Sequence, residues 1–211
     1  EAQIPVERID LANEMVVLVS ETHTLPFVTL SLLLDAGAWR DPVRKAGLAN
    51  LTAESLLLGT QINPVSELNR ILDAMGTSLG ISCGFDYVLL TLRSLKKGFG
   101  RGLDLFFETM MQPAFPEEEV QRQKESIIGA IASEKDDASV FARKIFRETV
   151  FIAGPYSQPV EGTRETLSRL DRDAVAGFYR NHYRPKGAIF TIVGDIALSE
   201  VKDRILPRLS A

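Results

Sequence analysis

The sequence predicts an α+β sandwich: a mainly antiparallel sheet of about five or six strands, the usual size, with helices packed on one face. Three observations carry that prediction. Residues 16–19 and 27–34 are β-branched and apolar runs bounded by turn residues, so the chain opens with strands. Residues 77–95 fold back around Gly84 as a hairpin of two longer strands. The remaining apolar periodicities are helical and come grouped, rather than alternating one for one with strands as a parallel β-α-β fold requires.

Each element has its own signal. Ala12-Asn13-Glu14 and His23-Thr24-Leu25-Pro26 read as turns on either side of the first run, so two or three early strands are expected to pair. After Asp35-Ala36-Gly37 and Asp41-Pro42, the spacing of Leu48, Leu51 and Leu58 predicts a helix stopped by Gly59. Leu68, Ile71, Leu72 and Met75 fall at i, i+3, i+4 and i+7, a short amphipathic helix ended by Gly76. Pro116 followed by Glu117, Glu118 and Glu119 suits a helix N-terminus, and Val120, Ile127, Ile128 and Ile131 give what should be the longest helix its apolar stripe. Phe141, Ile145 and Phe146 suggest another helix, and residues 153–163, with Gly154, Pro155, Pro159 and Gly162, a loop. Asp171 can cap a helix carrying Val175, Phe178 and Tyr179; residues 188–193 read as a strand, and Val201 and Ile205 mark a last helix.

Composition bounds the function. With 45% hydrophobic and 25% charged residues, the chain can close a core of its own, which excludes disorder, collagen and coiled coil. Its 24 Lys+Arg against 28 Asp+Glu leave a net charge of −4 and no basic block, so neither nucleic acid nor an anionic membrane is an expected partner. The single cysteine, Cys83, cannot form an internal disulfide. No apolar run is long enough to span a bilayer. Beginning at Glu1 with no basic, apolar leader, the sequence suits a cytoplasmic protein or a periplasmic one whose signal peptide is gone.

Residues 47–60 read Gly-Leu-Ala-Asn-Leu-Thr-Ala-Glu-Ser-Leu-Leu-Leu-Gly-Thr. This frame resembles the zinc-site helix of the M16 (pitrilysin, insulinase, mitochondrial processing peptidase) family, Gly-Leu-Ala-His-Phe-Leu-Glu-His-Met-Leu-Phe-Lys-Gly-Thr. There an H-x-x-E-H motif supplies two histidine ligands and a glutamate that activates the zinc-bound water. By that resemblance Asn50 stands at the first histidine, Ala53 at the general base and Glu54 at the second histidine. The family's third ligand is a glutamate on a later helix. The matching segment, residues 126–131 before Asp136-Asp137, puts Ala130 there.

The likeness runs on in order through the chain. Asp35-Ala36-Gly37 resembles the family's strand exit, residues 76–86 its glycine-led hairpin, and Gly154-Pro155-Tyr156 with Pro159 and Gly162-Thr163 its His-Pro-Tyr…Pro…Gly-Thr loop. Phe178-Tyr179, Tyr183-Arg184-Pro185 and Val193-Gly194-Asp195 are similar to its Phe-Tyr…Tyr-x-Pro and Val-Gly-Asp motifs. The resemblance implies one M16-like domain over residues 1–211, the N-terminal half of a two-domain subunit, without catalytic residues, metal or cofactor. Its implied partners are a zinc-bearing M16 subunit and a second M16-like domain, together enclosing a peptide. Where active members hold substrate backbone with an Asn-Ala pair at a sheet edge, Gly80 and Ile81 stand here, which leaves only main-chain strand addition.

Rival chemistry has weaker support. Residues 80–84 match G-x-S-x-G, which would make Ser82 a hydrolase nucleophile with His182 as base, but an elbow needs a strand-to-helix turn and residues 86–92 continue as strand. A Cys83–His182 dyad competes with the ordinary reading of a lone cysteine as a small buried hydrophobe. His23 sits in a polar turn without an evident carboxylate partner nearby in sequence. Residues 96–102 are basic and glycine-rich, yet match no phosphate-binding motif and open a helix. Glu117, Glu118, Glu119, Glu134, Asp136 and Asp137 have no calcium-loop spacing and suit solvent-facing helix ends. A purely structural role in a larger assembly is the remaining alternative.

Overall fold

The computed structural model describes residues 5–133 and 138–210. Six strands, β1 (Glu7–Asp10), β2 (Val16–Glu21), β3 (Phe27–Leu34), β4 (Ser78–Cys83), β5 (Val88–Leu95) and β6 (Ile189–Gly194), form one sheet in the order β1-β2-β6-β3-β5-β4. Every neighbouring pair is antiparallel except β2 with β6. The sheet is thus mixed and mainly antiparallel, as predicted.

Strand pairing departs from expectation in one place. β2 and β3 are not neighbours, because β6 lies between them. Phe190 and Ile192 of β6 are fully buried, so this late strand earns a central place. The 22–26 turn therefore arches over its end, where Thr22 N–H donates to Gly194 O (2.9 Å) and Asp195 N–H to Phe27 O (2.8 Å).

Alternation in β3 sorts the two faces. Val28, Leu30, Leu32 and Leu34 are buried under the helices, while Thr29 and Ser31 look the other way and Ser31 bonds Thr91 of β5. The helices α1 (Leu48–Ser55), α2 (Val65–Ala74), α3 (Phe99–Met111), α4 (Glu117–Ser133), α5 (Ala138–Val150), α6 (Arg164–Leu167), α7 (Arg172–His182), α8 (Leu198–Arg204) and α9 (Leu206–Leu209) complete the chain. α4 is the longest described helix. From the sequence only the start of α3 is evident, yet its Phe106 and Phe107 pack on Phe190 at ring distances of 5.7 and 6.4 Å and anchor the core.

Caps fall where side chains can supply them. Asp171 accepts from Ala174 N–H (2.8 Å) at the start of α7. Thr163 and Thr166 form a reciprocal capping box on α6. Replacing Thr163 with Ala is expected to cost about 1 kcal/mol in chemical denaturation; no loss would mean that this short helix is held by packing of Leu167 alone.

Candidate functional site

α1 packs against β4, α4 and α7, and burial reaches nearly all round it: Leu48, Ala49, Leu51, Thr52, Ala53 and Ser55 are all inside. Asn50 is buried too, but it and Glu54, one turn on, look toward α4. Asn50 Nδ2 donates to Glu54 Oε1 (3.1 Å), and Gln123 Nε2 of α4 donates to Glu54 Oε2. Together with Ser126, Ala130 and Glu161 they line a cavity of about 170 Å³. Three of the four positions singled out by the sequence, Asn50, Glu54 and Ala130, thus meet at one place. Ala53 is fully buried beside them and does not line the cavity.

Gln123 and Glu161 are additions the sequence reading missed. Gln123 had a signal, since it lies seven residues before Ala130 and two helical turns bring both to one face. Glu161 had none, because a loop residue is placed only by tertiary contact.

Asp41 is another. Gly47, the residue before α1, has φ +92° and no side chain to cap with, so Asp41 reaches in from the preceding loop. Its carboxylate accepts from Gly47 N–H and Ala49 N–H, both at 2.8 Å. Burial pushes this carboxyl up to about 7 against those two bonds, which favour the charged form. With the folded value raised, the native state holds a proton that the unfolded chain has already lost above pH ~4. Stability should therefore fall as pH rises from about 4 and level off beyond about 7, by a few kcal/mol in all. Asp41→Asn should flatten that part of the stability–pH curve; an unchanged slope would assign it to another group.

The other candidate residues are dispersed. Ser82 lies within strand β4, and the chain turns at residues 84–87 into β5, so the strand-to-helix elbow is not formed. Ile81 and Cys83 pack on the helix side, which leaves Ser82 on the opposite, exposed face and apart from His182 at the end of α7. Burial pushes the Cys83 thiol up to about 12, and Sγ donates to Gly84 O (3.4 Å), so it is a packed thiol and not a nucleophile. Burial lowers His182, whose ring sits 4.4 Å from that of Phe178.

His23 corrects the sequence reading. Its Nδ1 lies 2.5 Å from Asp195 Oδ1 and its Nε2 lies 2.8 Å from Glu21 Oε1, so it has two carboxylate partners, one only two residues away. Asp195 and Glu21 raise the imidazole above its ordinary value. The result is an exposed clip tying the 22–26 turn to the end of β6.

Lys96, from the basic glycine-rich stretch, donates to Asp195 O (2.6 Å) and pairs with Glu200. Glu118 and Glu119 pair with Arg122 in the first turns of α4. Glu134, Asp136 and Asp137 lie outside the described residues. Gly80 and Ile81 lie on β4, which is an edge of the sheet. A cavity of about 460 Å³ lies elsewhere, with Leu32, Phe106, Phe107 and Met110 in its largely apolar wall.

The family model for insulinase, peptidase family M16, matches residues 16–164. This chain belongs to the M16 family. An uncharacterized zinc protease of Rickettsia bellii is 22% identical over 183 residues, 85% of this chain and 44% of that protein. Subunit 1 of the human mitochondrial cytochrome b-c1 complex is 19% identical over 202 residues, 95% of this chain and 42% of that protein. Among solved structures, the peptidase M16 inactive domain from Pseudomonas fluorescens superposes with a TM-score of 0.91 at 23% identity, covering 98% of this chain and 50% of that one. The M16 chain thus spans less than half the length of those curated relatives, and the likeness to the solved structure establishes the fold.

Zinc does not fit the residues between α1 and α4. Asn50 offers an amide, both oxygens of Glu54 are taken by amides, and Ala130 offers a methyl group. Among the described residues, no group of three or more His, Cys, Asp or Glu could hold a metal ion. No described helix is long and apolar enough to cross a membrane.

Proposed function

We propose that this chain is a zinc-free, non-catalytic M16 domain, the N-terminal half of a two-domain subunit, that closes a peptide-enclosing chamber with a zinc-bearing M16 partner. The observation that carries the reading is the α1–α4 cavity. The two side chains one turn apart on α1 and the residue facing them on α4 converge as metal ligands would, but they are Asn50, Glu54 and Ala130. A hydrolase of this family needs three donors, a metal-bound water and a base. Here Glu54 is held by Asn50 and Gln123, and Ala53 stands at the base position. The similarity to a solved domain described as inactive agrees with this reading.

The test is metal analysis and peptide hydrolysis by the purified chain, alone and together with an M16 chain of the same source that carries an intact H-x-x-E-H. No zinc and no hydrolysis alone, with hydrolysis gained in the mixture over the partner by itself, is the expected result. Stoichiometric zinc or turnover by the isolated chain would overturn it. A second reading, a purely structural subunit, is favoured by the similarity to a cytochrome b-c1 subunit; there the mixture would gain no activity.

A further inference from the structure

We propose that the α1–α4 cavity seats the side-chain ammonium of a lysine from the enclosed peptide, an inference that rests on the reading above and names what this pocket takes in place of a metal. Its free valences are acceptors. Glu54 and Glu161 both line the cavity, and among the described residues neither carboxylate has a cationic partner. Two negative charges therefore stand uncompensated around about 170 Å³. Their field is felt nearby: beyond burial, the charges of Asp41, Glu161 and Glu54 all push the Cys83 thiol up.

Asn50 is an independent sign of a missing donor. It is only 7% exposed, its Nδ2 donates to Glu54, and its Oδ1 accepts no bond from a described group. The fully enclosed side-chain polar atoms left without a partner among the described residues belong to Arg40, Ser55, Thr109 and Tyr183. Asn50 Oδ1 is not one of them, so it is open, and on a residue this buried the opening is the cavity that it lines. Such an acceptor is unsatisfied until a donor reaches it.

Donor count, shape and size choose the ligand. Each Glu54 oxygen takes one amide bond, from Asn50 or Gln123, which leaves about two of the roughly four lone-pair sites of the carboxylate free. Together with Glu161 and Asn50 Oδ1, that makes acceptors on three side chains, and an ammonium carries three N–H donors. A planar guanidinium fork matches less well, because both oxygens of Glu54 already hold an amide. Ile127, Ala130 and Ile131 give the rest of the wall an apolar surface suited to a methylene stem. At about 170 Å³ the cavity takes one side chain rather than a whole small molecule, whose sites run from about 300 Å³ upward.

The test is titration of the isotope-labelled chain, at neutral pH and fixed ionic strength, with the Nα-acetyl amides of lysine, norleucine and arginine, read from the side-chain amide signals of Asn50 and Gln123 by nuclear magnetic resonance. Saturable shifts with the lysine compound are expected, with binding of the other two weaker by about tenfold or more. Glu161→Gln changes an exposed loop residue and should leave the circular dichroism as it is. It should weaken binding of the lysine compound about tenfold, the worth of one charge-assisted hydrogen bond. No saturable shift, or equal or tighter binding of either comparison compound, would overturn the assignment, and so would parent-like affinity in a folded Glu161→Gln chain. None of these outcomes bears on zinc content or hydrolysis, so the auxiliary-subunit reading stands or falls on its own assay.

Discussion

Asn50→His, Glu54→His and Ala130→Glu, introduced together, are expected to raise zinc content from none to about one ion per chain, since three N/O donors and a water complete a catalytic-type site. The backbone already does most of the work. Positions 50 and 54 are one turn apart on α1, and position 130 faces them from α4 across a cavity of about 170 Å³. The same triple change removes the Glu54 carboxylate and with it the amide bonds from Asn50 and Gln123. The metal-free variant should therefore be slightly less stable than the parent. Zinc at about 100 times its dissociation constant should then add about 2.7 kcal/mol, because only the folded chain brings the three ligands together. Ala53 is left unchanged, because its position is fully buried and a glutamate there would add a base and not a ligand. Metal analysis and thermal melts with and without zinc decide the matter. A folded variant that takes up no zinc would mean that α1 and α4 do not aim these positions at one point, and the alignment with the family's ligand frame would fall with it.

What made this site readable in the sequence was its spacing. Asn50 and Glu54 are four apart on a helix, so their convergence follows from the 3.6-residue turn alone. Ala130 required the family frame, because nothing about an alanine announces what it faces. Asp41 and Glu161 could not be found from spacing, since each reaches α1 from a loop whose path is set by packing. The sheet tells the same story. The alternation in β3 assigns its faces correctly, whereas the insertion of β6 between β2 and β3 depends on a strand more than 150 residues later. α1 itself shows an incomplete apolar stripe in sequence because it is buried on nearly every side, and small residues such as Ala49 and Ala53 fill the contacts that leucines fill elsewhere.

Gly162→Ala should be among the most damaging single-methyl additions in the chain, costing about 3 kcal/mol or more. Gly162 has φ +78°, a left-handed conformation that costs an alanine about 1–2 kcal/mol before any contact is considered. The added Cβ would also stand 2.4 Å from Ala46 O and 2.9 Å from Gly47 Cα, and both are backbone atoms with no rotamer to yield. Gly187 separates the two effects: its φ is +74°, and a Cβ there meets nothing within 4 Å. Gly187→Ala should therefore cost only the conformational part, about 1–2 kcal/mol. Denaturation of the two variants side by side tests the argument, and equal losses would sink it. The consequence reaches the site, because Ala46 and Gly47 lead into α1 and Glu161 lines the cavity. Placed in the zinc-binding triple variant, Gly162→Ala should weaken metal binding as well as stability, since the clash pushes the α1 entry away from the loop that carries Glu161. Gly187→Ala in the same background should leave zinc affinity unchanged.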